Sequence, residues 1–123
     1  MGKFVVKQTK NGGVKFDLLA TNGQVIATSQ TYKTIRSCRA GVASVIKCAA
    51  AANVEDQTAE GFVAQKCPKF EIYQDKAGEF RFRLKARNGE NIGRSEGYVA
   101  KTSAMNGIAS IGKNAPDADV VVE

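Results

Sequence analysis

Histidine is absent from all 123 residues, which removes the commonest general base and with it the usual serine and cysteine triads. Three cysteines, Cys38, Cys48 and Cys67, form no CxxC pair, so a structural zinc would need an unusual ligand set. No apolar run approaches the roughly eighteen residues that a membrane span needs. The opening stretch returns to charge directly after Phe4, Val5 and Val6, unlike a signal peptide, and the cytosol is the expected compartment. There is no P-loop and no GxG, and the GxxxG spacings lack the membrane context that gives them meaning. Asp117 and Asp119 adjoin a predicted strand, but nothing pairs them into a metal site or an acid–base couple. No catalytic residue, cofactor or metal is expected, and a non-enzyme is the better reading.

What is present is a duplication. Displaced by 66 residues, the second half falls on the first without a gap, from Phe4 on Phe70 to Gln57 on Glu123, with 20 of 54 pairs identical. A hydrophobic fraction of 43% and a charged fraction of 24% exclude wholesale disorder. One unit of this size is marginal alone, so residues 4–57 and 70–123 are expected to share a core as a fused pseudo-dimer, joined by a connector at 58–69. The chain as a whole is expected to be a monomer. Cys38 and Cys48 fall on Ala104 and Asn114, so the scaffold requires neither thiol. They read as incidental reduced cysteines, with a reactive thiol at Cys67, beside Pro68, as the alternative.

Within the second unit, residues 70–75 and 80–87 alternate between apolar and charged, the mark of two half-buried strands. Keeping Phe70, Ile72, Phe82 and Leu84 on one face requires an odd loop, and Lys76-Ala77-Gly78 fits a type I turn with a glycine bulge. That register sets Glu71 opposite Arg83 and Tyr73 opposite Arg81, giving an ion pair and a cation–π contact. Asn88-Gly89, matched by Asn22-Gly23, opens the next strand through a three-residue loop that would put Ile92 opposite Leu84. Ile35 to Ala49 has helical periodicity with Thr34 as N-cap, and Ala104 to Ala115 repeats it after an Ala100 that cannot cap. Gly41 and Gly107 lie mid-helix, which predicts a tight helix contact near the pseudo-twofold axis. Val54–Asp56 and Val120–Val122 form short closing strands, and Phe62 and Val63 of the connector are expected to pack on the body. The fold class is α+β, two strand-strand-strand-helix-strand units around a predominantly antiparallel sheet.

The run Arg81-Phe82-Arg83-Leu84-Lys85-Ala86 into Asn88-Gly89, followed by Ser95-Glu96-Gly97-Tyr98 and Gly107-Ile108, resembles the repeat of the YegP-like family. The first unit departs from it at Lys15-Phe16-Asp17-Leu18-Leu19-Ala20 and Ser29-Gln30-Thr31-Tyr32. The resemblance spans both units and implies small bacterial proteins of one or two repeats with no established activity.

Arg81, Arg83, Lys85 and Arg87 share one strand face, but neighbours ~6.8 Å apart repel by only about 0.6 kcal/mol in water, so a solvated face explains them. The charge surplus lies elsewhere: residues 70–123 are neutral, whereas residues 4–57 carry seven basic against three acidic groups. Arg36, Arg39 and Lys47 fall within about 80° on a helical wheel, and with Lys7, Lys15 and Lys33 they form the candidate anion or nucleic-acid surface, set against a plain solvated flank. Ser29, Tyr32, Ser95 and Tyr98 recur after the third strand of each unit. They are either a symmetric loop site or packing and backbone-satisfying residues. The leading expectation is a non-enzymatic cytosolic binding or interaction module whose partner is unidentified. Weak, salt-sensitive nucleic-acid binding is second, and an enzyme with an unrecognised site third.

Overall fold

The computed structural model describes residues 2–50, 53–116 and 118–123. Asp117, one of the two aspartates considered above, lies outside the described residues. The chain runs β1 (Lys3–Gln8), β2 (Val14–Leu19), β3 (Val25–Thr28), α1 (Ile35–Ala49), β4 (Asn53–Asp56), β5 (Lys69–Gln74), β6 (Phe80–Lys85), β7 (Asn91–Arg94), α2 (Lys101–Asn114) and β8 (Asp119–Val122). All eight strands form one sheet in the order β4-β5-β6-β7-β3-β2-β1-β8. The antiparallel runs β1-β2-β3 and β5-β6-β7 are the two units, and they meet at Thr28 opposite Arg94. Those two residues are counterparts under the 66-residue displacement, so the pseudo-twofold axis passes between them. The final strand of each unit crosses over. β4 pairs in parallel with β5 of the second unit, and β8 pairs in parallel with β1 of the first.

Local chemistry explains the hairpins. Gly12 and Gly78 take φ of 81° and 84° at the end of three-residue loops, closed by Gly12 N–H to Thr9 O and Gly78 N–H to Asp75 O. Glu71 stands opposite Arg83 and Tyr73 opposite Arg81, as the parity requires. The second hairpin begins in the expected register, with Lys85 opposite Asn91, and then shifts: Leu84 faces Gly93, not Ile92. Ile92 is the extra residue of a bulge and remains buried at 3% exposure. The first unit makes the same shift, with Leu19 opposite Val25 and Leu18 opposite Ala27. A turn fixes register only at the mouth of its hairpin, which is why loop length alone misses the bulge.

Both helices lie on one face of the sheet. Phe4, Phe16 and Leu18, their counterparts Phe70, Phe82 and Leu84, and Val42, Val45 and Ile111 from the helices join in a single core. Thr34 Oγ1 accepts from Ser37 N–H at 3.1 Å to cap α1, while Ala100 makes no side-chain cap. Phe16 meets Phe4 edge-on at 5.6 Å and stacks on Tyr32 at 6.4 Å; Phe82 repeats this with Phe70 at 6.0 Å and Tyr98 at 6.4 Å. Each helix glycine sits on such a stack. A Cβ on Gly41 would lie 2.3 Å from Tyr32 Oη, and one on Gly107 would lie 2.8 Å from Phe82 Cε2. The tight contact expected at these glycines is therefore real, but it runs from helix to aromatic stack within each unit, not to the other helix at the axis.

Alanine is the better helix former by about 1 kcal/mol, yet overpacking a full core costs about 1 to 3 kcal/mol, so Gly41→Ala should lower stability in urea unfolding. Adding Tyr32→Phe, which removes the nearest clashing atom, should recover part of that loss in a double-mutant cycle.

Candidate functional site

The repeated hydroxyls hold backbone. Ser29 Oγ accepts from Phe16 N–H at 2.9 Å and donates to Gln30 O at 2.7 Å; Ser95 Oγ accepts from Phe82 N–H at 2.9 Å and donates to Glu96 O at 2.8 Å. Both serines are buried, at 2% and 3% exposure, and both sit just past the bulge, where their own N–H groups still bond Phe16 O and Phe82 O at 2.9 Å. Tyr32 and Tyr98 pack their rings beneath the helices, and burial raises the pKa of both phenols. Tyr98 also borders a 240 Å³ cleft between α2 and the first Asn-Gly hairpin, beside Asn22, Gln24, Glu96, Ser103 and Asn106.

The six basic candidates do not converge. Lys7 and Lys15 face each other across β1 and β2 on the side of the sheet away from the helices, and Lys7 Nζ lies 2.8 Å from Asp17. Lys33, Arg36, Arg39 and Lys47 are exposed in the helix layer. Even there the helix separates them. Arg39 lines a 220 Å³ cleft with Val42, Ile46 and Val120 of β8, whereas Lys47 lines a 420 Å³ cleft with Ser44, Cys48 and Arg87. A wheel angle reports direction about one helix, not which neighbours flank it.

Two members of the conspicuous arginine strand, Arg81 and Arg83, are paired. Arg83 Nε lies 2.5 Å from Glu71 Oε1, and its guanidinium stands 4.5 Å over the Tyr73 ring. The expected partner for Tyr73 was Arg81, but Asp75 holds Arg81 at 2.7 Å while accepting the loop N–H groups of Ala77 and Glu79. Arg83 reaches the ring diagonally instead. Burial alone would push the Glu71 carboxyl up; hydrogen bonds from Arg83 and Lys69 outweigh it and leave the pKa below the ordinary value.

Phe62 and Val63 do not pack on the body: they are 46% and 74% exposed. The connector is anchored by a polar group that apolar patterning cannot reveal. Glu55 on β4 is 2% exposed and accepts from Gln57 Nε2 at 2.6 Å, Gln65 N–H at 2.7 Å and Lys69 Nζ at 2.8 Å. Hydrogen bonds from Gln57, Lys69 and the Gln65 backbone lower its pKa from 4.5 to about 2. Its counterpart on the opposite sheet edge is Val121, with no such anchor. The cysteines are unpaired, Cys38 and Cys48 buried and Cys67 half-buried, and burial pushes the Cys38 thiol up. Among the described residues no group of three or more cysteines and acids could hold a metal, and no helix is long and apolar enough to cross a membrane.

With the scaffold and its repeated residues in place, comparison with known families gives one answer twice: the Domain of unknown function (DUF1508) matches residues 9–56 and again 75–121. The chain belongs to the DUF1508 family. A UPF0339 protein of Agrobacterium fabrum is 64% identical over 53 residues, which are 43% of this chain and 86% of that one. A UPF0339 protein of Mannheimia succiniciproducens is 38% identical over 115 residues, 94% of this chain and 88% of its relative. The solution NMR structure of YegP from E. coli, a protein of unknown function, superposes with a TM-score of 0.80 at 28% identity, covering 99% of this chain and 92% of that one. The YegP-like resemblance and the α+β fold of two repeats are thus shown, and the biochemical role of DUF1508 proteins is not known.

Glu55 carries a pH dependence whose sign is fixed by its lowered pKa. The carboxylate stabilises the fold fully above the unfolded value near 4.5, and this contribution is lost as pH falls toward 2. Urea unfolding should place Glu55→Gln about 2 to 3 kcal/mol below the parent at neutral pH, with the gap closing as the solution is acidified through that window.

Proposed function

We propose that this DUF1508 protein is a non-enzymatic cytoplasmic interaction module that receives an extended peptide on the open edge of β8. The observation that supports it is the inequality of two edges that the duplication makes equivalent. At β4, the connector is drawn over the strand end by Glu55, and Asp56 pairs with Lys101. At β8, all four residues are exposed, Val120, Val121 and Val122 at 40–42%, and among the described residues the strand pairs on one side alone, with β1. Exposed, apolar edges invite strand addition, and natural sheets normally blunt them.

The edge favours a partner of particular chemistry. Alternate residues of a strand direct their backbone groups to opposite sides. Since Glu123 N–H bonds Val6 O on the β1 side, Val120 and Val122 offer theirs outward. Val120 borders the cleft formed with Arg39, Val42, Ala43 and Ile46, a shelf for one apolar side chain of the incoming strand. Asp119 and Glu123 flank the valines. Two copies pairing antiparallel about Val121 would set Asp119 against Glu123, a repulsive arrangement, so the complementary strand is an apolar segment with lysine or arginine at its ends. The non-enzymatic reading is supported by the serines and tyrosines at 29, 32, 95 and 98, which are engaged in holding backbone and helix. Nucleic-acid binding through the six basic residues has less support, because they lie on both faces of the sheet and on two sides of α1.

A lysine-flanked peptide of alternating valine and threonine, titrated into the ¹⁵N-labelled chain, should perturb Asp119–Val122 and slow hydrogen exchange of the Val120 and Val122 amides. Val122→Pro deletes an outward donor and leaves the β1 ladder in place, so it should abolish binding without unfolding the chain. Binding that survives Val122→Pro, or a concentration-dependent dimer in sedimentation that the same substitution removes, overturns the proposal.

A further inference from the structure

The two grooves between a helix and the other unit's Asn-Gly hairpin share a backbone plan and differ in what lines them. Beside α2, Thr21 Oγ1 donates to Asn114 Oδ1 at 3.4 Å, and Asn114 Nδ2 donates to Ser110 O at 2.8 Å, which closes the groove near the helix C-terminus. The counterparts of Thr21 and Asn114 are Arg87 and Cys48. A guanidinium and a thiol cannot repeat that bridge, since the thiol is a weak partner and the guanidinium only donates. The groove beside α1 is open there, a cleft of 420 Å³ lined by Ser44, Lys47, Cys48, Arg87, Asn88 and Glu90.

We propose that this cleft binds a small phosphate monoester that carries a hydrogen-bond donor next to its phosphate. Lys47 and Arg87 come from different units and reach one cleft only because α1 extends over the second hairpin. Both are exposed, and among the described residues neither is in an ion pair. Together they match the nearly two negative charges of a phosphate monoester, Arg87 as a planar fork and Lys47 as a point charge. Asn88 Oδ1 is occupied by Glu90 N–H at 3.0 Å, which leaves the amide nitrogen as a donor, and the Ser44 hydroxyl adds another. Cys48, Ala86 and Pro68 give the organic part an apolar floor. Glu90 on the same rim limits the choice: it repels a polyanionic backbone and accepts from a hydroxyl or ammonium group. The volume falls within the ~300–1,000 Å³ usual for small-molecule sites.

The test is an NMR titration of the ¹⁵N-labelled full chain with inorganic phosphate, with phosphoethanolamine and with a short single-stranded oligonucleotide at low salt. Saturable shifts confined to Ser44–Cys48 and Arg87–Glu90, tighter for phosphoethanolamine than for phosphate, are expected. Lys47→Ala and Arg87→Ala should each weaken binding roughly tenfold or more, as loss of a charge-assisted hydrogen bond does, and Lys113→Ala should not. Arg87→Thr combined with Cys48→Asn installs the bridging pair of the other groove and should abolish binding while the thermal transition is kept. No saturable shift at these residues, an affinity indifferent to Lys47 and Arg87, or tighter binding of the oligonucleotide through them each overturns the proposal. Val122→Pro leaves this titration unchanged, so the cleft and the β8 edge stand or fall separately.

Discussion

The exchange of closing strands is the constraint on which everything else in the molecule depends. β4 leaves the first unit to lie beside β5, and β8 leaves the second to lie beside β1. From β3 near the centre of the sheet to β4 at its far edge, the chain must pass β7, β6 and β5, and α1 begins that crossing, packed on β1 and β2 of its own unit and reaching β7 of the other. One helix therefore serves two halves. Its early turns sit on the Phe16–Tyr32 stack of its own unit, with Gly41 as the point of closest approach, while Ser44, Lys47 and Cys48 look onto the hairpin of the other. The parallel neighbours β4 and β5 are joined by the connector, while the helices carry β4 and β8 to opposite edges and so tie the two units into a single core.

The residues that repeat are those this arrangement needs. A phenylalanine in each second strand, a tyrosine after each bulge and a glycine above them form one packed column. A serine beneath accepts the phenylalanine N–H through its hydroxyl while its own N–H bonds the same residue's carbonyl. Identity at these positions reports geometry and carries no information about a ligand. The differences lie at the periphery. On the outer sheet face, Glu55, Lys69, Glu71 and Arg83 make a continuous chain of ion pairs, whereas their counterparts Val121, Lys3, Val5 and Asp17 do not. One sheet edge consequently carries a buried, hydrogen-bonded carboxylate and the other a run of three exposed valines.

Parity and turn chemistry made the hairpins, the helices and their caps legible in the residues, because those features are set by neighbours a few positions away. The bulges at Ile26 and Ile92 were not, since the isoleucine stays buried whether it is paired or extra. The strand exchange has no local signature either: Val54–Asp56 and Val120–Val122 read as strands, but their partners are chosen by the path of a helix. The connector misled in the opposite direction. Phe62 and Val63 looked like anchors by hydrophobicity, and the anchor is a buried carboxylate whose hydrogen bonds offset its desolvation. For the candidate site, proximity on a helical wheel grouped Arg39 with Lys47 although α1 parts them, and only the crossover brings Lys47 to Arg87.

Duplication within one chain gives these differences their origin. A unit that sends its last strand to a neighbour completes a sheet only when a second copy sends one back. A chain with a single such unit would need a second molecule of itself to complete the same sheet. In such a dimer every substitution appears twice, so closing one edge closes both and opening one groove opens both. Joining the copies in series removes that coupling. A carboxylate can anchor the connector at β4 while valines leave β8 open, and a threonine–asparagine bridge can close one groove while arginine and cysteine leave the other without it. The asymmetric positions are thus the ones free to acquire a role, since the scaffold in its symmetric residues is already complete without them.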